Sequence, residues 1–154
     1  EGSDLKTPKL EKGPDLFLEY VKKIDKNVHV LLGGWRRQYI INGLKESGLK
    51  YTYCELAPFE VLRKMYAACD LYVISSRYEG APQALFEASS MKVPIISSDV
   101  GMASEVLSKN CVIDIEKEIY FPSKEDVLFN YENVQKYEIT SHIKKYEEFF
   151  RSLL

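Results

Sequence analysis

Short apolar runs rich in β-branched and aromatic residues recur along the chain, each followed by an amphipathic stretch of helical length. That alternation predicts βα units on a parallel sheet. The runs place strands at 27–32, 51–54, 70–75, 94–97 and 111–115. LYVIS and VPIIS are apolar almost throughout instead of alternating, as expected of strands covered by helices on both faces. The fold class expected is α/β, an open parallel sheet with helices on both faces.

Helices fit between the strands at 15–24, 35–47, 59–68, 82–91 and 103–108. Gly48 follows one of them where a left-handed residue is cheap, and Pro58 and Pro82 stand where first-turn prolines are tolerated. Beyond Ile115 the sequence turns polar and Tyr-rich, with helices expected at 124–131 and 141–153. In the last, Ile143, Tyr146, Phe149, Phe150 and Leu153 form one apolar stripe opposite Lys144, Lys145, Glu147, Glu148 and Arg151. Such a stripe is expected to pack on something. No internal repeat or linker divides the chain, so residues 1–154 are read as one domain.

The 154 residues carry a net charge of −2, with no run of Lys or Arg longer than two. The electrostatic footprint of a nucleic-acid-binding protein is missing. No apolar stretch approaches the roughly 20 residues of a membrane span. Cys54, Cys69 and Cys111 are odd in number and lie far apart in apolar segments, which reads as reduced thiols and a cytoplasmic setting. The sequence opens on Glu1 without a signal-peptide pattern and is expected to be a piece of a longer protein. His29 and His142 are isolated, so no metal site and no resident cofactor are expected.

The densest signal is DLYVISSRYEGAPQALFEASSMKVPIISSDVGMASEVL. A strand ends at Ser75 and Ser76, a loop follows from Arg77 to Ala81, and Pro82 then opens a helix. Such loops lie at the carboxyl ends of the strands, where open α/β sheets bind ligands. The helix would aim free N–H groups and its positive dipole end at the loop, a place suited to a diphosphate or a sugar hydroxyl. Glu79 lies in the loop, and Glu87 lies one and a half turns into the helix.

The string E-G-x-P-x-x-L-x-E over 79–87 resembles the E-x7-E signature of group 1, family 4-like, retaining GT-B glycosyltransferases. The similarity extends through KGPDLFLEYVKK, HVLLGG, LRKMYAACDLYVISSRYEG and VPIISSDVGMASEV, in the family's order. The resemblance implies the C-terminal, Rossmann-like, nucleotide-sugar-binding half of a GT-B fold, moving a sugar from a nucleotide diphosphate donor to a saccharide or lipid-linked acceptor with retention. It implies that Glu79, the candidate catalytic residue, contacts hydroxyls of the transferred sugar, and that Glu87 binds the ribose hydroxyls. It further implies that Lys12 contacts the diphosphate and that backbone N–H groups of Gly80, Ala81 and Gln83 cradle sugar and phosphate. Pro82 cannot donate to that cradle.

The family's strand ending in a basic residue before the K-G lysine is not recognisable upstream of Lys12; Lys6 or Lys9 offers a substitute point charge. The acceptor-binding N-terminal half is absent from these residues, so the fragment alone is expected to be inactive and to need that half, or a separate acceptor-binding partner. The intact enzyme is expected to act in polysaccharide biosynthesis, with peripheral membrane association open to it.

Each assignment has a plainer structural counterpart. Glu79 could pair with neighbouring Arg77, Glu87 could be an exposed helix residue near Lys92, and Lys12 a surface lysine before a turn. Gly33 and Gly34 serve a tight turn or let a nucleotide approach the backbone. Leu56 and Ala57 touch a base or edge the core; Trp35, Arg36 and Arg37 stack on a base or face the missing half. Glu105 caps its helix or orients the site. Two other functions compete: a sugar-nucleotide epimerase half-domain, and a non-catalytic nucleotide-binding or docking module.

Overall fold

A computed structural model describes residues 8–24 and 27–153. Four parallel strands form among them: β1 (His29–Gly33), β2 (Lys50–Cys54), β3 (Tyr72–Ile74) and β4 (Ile95–Ser97). They pair as β1–β2, with Val30 opposite Tyr51, and β3–β4, with Val73 opposite Ile96. Seven helices accompany them: α1 (Pro14–Ile24), α2 (Gln38–Glu46), α3 (Phe59–Ala67), α4 (Gln83–Ser90), α5 (Ala103–Val106), α6 (Lys124–Val134) and α7 (Ile139–Arg151). The α/β class with parallel strands is as the sequence predicts.

The packing explains the apolar runs. Neighbouring residues of a strand point to opposite faces. In β4, Ile95 joins Leu85, Ala88, Ala103 and Val106 from α4 and α5, while Ile96 joins Tyr20 of α1 with Ile113 and Ile115. Both faces are thus covered, and a fully buried Ile contributes about 1.5–3 kcal/mol on either. Helix α1 serves both strand pairs. Its Leu18 and Val21 pack with Val30 and Leu32 of β1, whereas Tyr20 packs beside Ile96 of β4.

Three expectations are corrected. The run 111–115 is no strand: Lys109–Cys111 is a 3-10 turn, and only Val112 bridges to Ser97. Helix α2 begins at Gln38 and not at Trp35, because Arg36 takes a positive φ of 59° and breaks the turn before it. The stripe of α7 is not packed: Ile143, Tyr146, Phe149, Phe150 and Leu153 are all exposed.

Helix α6 is anchored by one carboxylate. Ser123 and Asp126 form a reciprocal capping box, and Asp126, 4% exposed, also accepts from Ser108 Oγ and Tyr120 OH, each at 2.6 Å. Burial pushes the Asp126 carboxyl up, but the bonds from Ser108, Tyr120 and Ser123 outweigh it and hold the group well below the usual carboxylate range. A depressed folded-state pKa contributes stability above the unfolded value, near 3.9, that is lost as pH falls towards the folded one. Asp126→Asn is expected to lower the unfolding free energy by about 2–4 kcal/mol at pH 7. Urea titrations should show this deficit shrinking below about pH 4; a deficit independent of pH would contradict the assignment.

Candidate functional site

The site is built where β1 and β3 end. After β3, Ser75 and Ser76 are buried, and the chain turns through Arg77 to Ala81 before α4. A second segment, the 3-10 turn Leu10–Lys12 with Gly13, is fastened to that end. Arg77 N and Tyr78 N donate to Glu11 O at 2.8 and 3.2 Å, and Ser75 Oγ donates to Gly13 O at 2.8 Å. Arg77 closes the join from the other side, giving both guanidinium nitrogens to Asp15 at 2.8 and 2.7 Å and one also to Leu10 O. The Arg77 bonds hold the Asp15 carboxyl below its ordinary range and raise Arg77 in turn. A planar fork on a carboxylate fixes orientation as well as distance.

Gly13 permits this contact. Its φ is +59°, and a Cβ there would lie 1.7 Å from the Ser75 carbonyl oxygen. Gly101 plays the same part beneath the loop: its φ is +50°, and a Cβ would lie 1.8 Å from Gly80 O. Met102 N donates to that same oxygen at 3.0 Å, so the Gly80–Ala81 peptide is held from below.

The fastening brings Lys12 to Glu79. Lys12 Nζ donates to Glu79 Oε1 at 2.7 Å, and Ser76 Oγ donates to the same oxygen at 2.9 Å. The glutamate side chain is 17% exposed and the lysine 50%. Glu79 therefore pairs with Lys12 and not with Arg77. Among the described residues the backbone N–H groups of Gly80, Ala81 and Gln83 have no protein acceptor; Gln83 is the first residue of α4, whose opening donors lie free unless a side chain caps them, and Gly80 and Ala81 belong to the loop before it. No side chain caps α4, whose N-cap is Pro82.

Glu87, half-buried, forms a second group. Gln83 Nε2 donates to its Oε1 and Tyr66 OH to its Oε2, both at 2.7 Å. Lys92, its plainer alternative partner, lies over the Tyr131 ring instead, 4.3 Å from the centroid. Gly33 faces the same helix as Tyr66: a Cβ on it would meet Met65 at 3.6 Å, an ordinary contact. Gly34 N donates to Cys54 O, and Arg37 Nε donates to Gly33 O, which closes the turn after β1.

The remaining candidates scatter. Trp35 is exposed beneath Arg36, 4.3 Å from ring centroid to guanidinium carbon, and Leu56 is exposed. Glu105 makes no cap on α5. Lys9 is exposed, and Lys6 lies outside the described residues. Among the described residues no group of three or more His, Cys, Asp or Glu could hold a metal ion, and no helix is long and apolar enough to cross a membrane. Sequence reasoning missed Asp15, Ser76, Tyr66 and Gly101. Asp15 and Ser76 lie within three residues of Lys12 and Glu79; Tyr66, 21 residues from Glu87, leaves no local trace.

The fold is α/β of Rossmann-like build, the build of a GT-B glycosyltransferase domain. The profile of the family Glycosyl transferases group 1 matches residues 5–129, and the chain belongs to that family. Over 53 residues it is 38% identical to a protein of Bacillus subtilis (strain 168) that carries the name of a teichuronic acid biosynthesis glycosyltransferase, TuaC, covering 34% of this chain and 14% of that one. Sucrose-phosphate synthase (tll1590) from Thermosynechococcus elongatus superposes with a TM-score of 0.73 at 16% identity, over 94% of this chain and 43% of its own. Anabaena Alr3699/HepE, solved with UDP and glucose, gives 0.76 at 15% identity, over 94% and 46%. At that identity the two structures speak for the fold. The chain spans less than half the length of each.

Two substitutions test the fastening. Gly13→Ala is expected to lower the unfolding free energy by about 1–3 kcal/mol because the added methyl overlaps a backbone carbonyl. Arg77→Lys, which keeps the charge and loses the fork, is expected to cost about 1 kcal/mol. Chemical denaturation reads both, and parent-like stability in Gly13→Ala would rule out the close contact with Ser75.

Proposed function

We propose that the chain is the donor-binding half of a retaining glycosyltransferase, holding a nucleoside diphosphate sugar across the ends of β1 and β3. The observation that carries this reading is that two separately held carboxylates, Glu79 with Lys12 and Glu87 with Tyr66, flank the start of one helix, where the N–H groups of Gly80, Ala81 and Gln83 have no protein acceptor. Glu87 accepts the ribose hydroxyls. Glu79 contacts the sugar, while the N–H groups of Gly80, Ala81 and Gln83 and the Lys12 ammonium receive the diphosphate. Gly33 and Gly34 let the nucleotide lie close to the backbone. A uridine nucleotide is the first donor to try, since HepE was solved with UDP and with UDP-glucose.

As the glycosidic bond loosens, negative charge gathers on the leaving diphosphate, and oriented amides with a cation stabilise it where it forms. Lys12 then exchanges its bond to Glu79 for one to phosphate, and Glu79 is released towards the sugar. The acceptor hydroxyl bonds to the anomeric carbon on the face from which the diphosphate leaves and gives its proton to the departing phosphate oxygen, which retains the anomeric configuration. A saccharide or lipid-linked acceptor fits the reading, TuaC being named for teichuronic acid biosynthesis. It binds to a further half or partner, for which the exposed stripe of α7 offers a docking face. The reading places the reaction in the cytoplasm and needs no metal.

Calorimetry with UDP-glucose tests the assignment. Losing a hydrogen bond to a charged group costs about 1.5–3 kcal/mol, so Glu87→Ala and Lys12→Ala should each weaken binding roughly ten- to a hundredfold. A ligand at a hundred times its dissociation constant raises stability by about 2.7 kcal/mol, so a thermal-shift screen over UDP, GDP and ADP identifies the base. Absence of any shift would sink the donor-binding reading.

A further inference from the structure

Glu87 is held from two directions that differ in kind. Gln83 lies one turn back on the same helix and is exposed, whereas Tyr66 comes from α3 and is 5% exposed. The Tyr66 ring packs against the Tyr72 ring, with centroids 5.4 Å apart, so its hydroxyl reaches Glu87 Oε2 along a fixed line. Burial pushes the Tyr66 phenol far above its ordinary range, with Tyr72 and Glu87 adding to the effect, and the hydroxyl stays a donor at every working pH.

An ionised carboxylate offers about four lone-pair positions. Tyr66 occupies one on Oε2 and Gln83 one on Oε1, which leaves an acceptor on each oxygen. Two acceptors in one plane, a carboxylate's width apart, match two vicinal hydroxyls. That match requires the plane to be fixed, because the terminal torsion of a glutamate is broad.

We propose that Tyr66 is a positioning residue that sets the plane of Glu87 for a vicinal diol, and thereby makes the site selective for ribose over 2′-deoxyribose. The proposal rests on the ribose role given to Glu87 above. A bond made by a fixed, buried hydroxyl constrains Glu87 more than one from an exposed amide, so selectivity depends on Tyr66 more than on Gln83.

The test is calorimetry of the 154-residue chain, Tyr66→Phe and Gln83→Leu with UDP and with 2′-deoxy-UDP. Phenylalanine keeps the packed ring and removes only the hydroxyl. The parent is expected to prefer UDP by about tenfold or more, the value of one charge-assisted hydrogen bond. Tyr66→Phe should reduce the preference to about threefold or less by weakening UDP while leaving 2′-deoxy-UDP nearly unchanged; Gln83→Leu should reduce it less. An unchanged preference in Tyr66→Phe, or an equal loss for both nucleotides, overturns the positioning role and leaves the ribose role of Glu87 standing. No preference in the parent overturns both.

Discussion

The arrangement of the site depends on one contact, the seating of the 10–13 turn against the end of β3. Nothing in the local sequence of that turn would hold a lysine beside a glutamate 67 residues away. What holds it is a glycine with room for no side chain, a serine hydroxyl on its carbonyl, and an arginine fork gripping Asp15 one residue into α1. Since α1 also packs on β1 and on β4, the turn, the helix and both strand pairs form one mechanical unit. Rigid elements position a binding group better than free loops do.

A single carboxylate organises the start of α6 in a comparable way. Asp126 gathers Ser108, Tyr120 and Ser123 and so joins the irregular stretch after α5 to the start of α6. Both devices place a buried or half-buried acid among several donors, where a hydrogen bond is strong because water competes poorly. Loops without regular structure are thereby given defined paths.

Much of this was legible in the sequence, and the failures are instructive. Apolar runs located β3 and β4 because strands covered on both faces have no polar register, and Pro82 marked the start of α4. The run CVIDI has the composition of a strand, yet a strand needs a neighbour in register, and only Val112 finds one. Periodicity described the stripe of α7 correctly and could not say whether anything covers it. Glu79 and Glu87 stood out through a motif, which reports a pair of residues and not their partners. The choice of Lys12 over Arg77 for Glu79, and of Tyr66 over Lys92 for Glu87, is decided by how helices cross in three dimensions.

The ion pair between Lys12 and Glu79 carries a kinetic consequence. With its cation already neutralised at 2.7 Å, this part of the site projects little net field beyond its own walls. Strong electrostatic steering needs an unbalanced charge extending past the Debye length, about 8 Å at physiological ionic strength. A doubly negative ligand would therefore meet the site at an ordinary encounter rate that varies little with salt. Its residence time would be set by the exchange of one close partner for another.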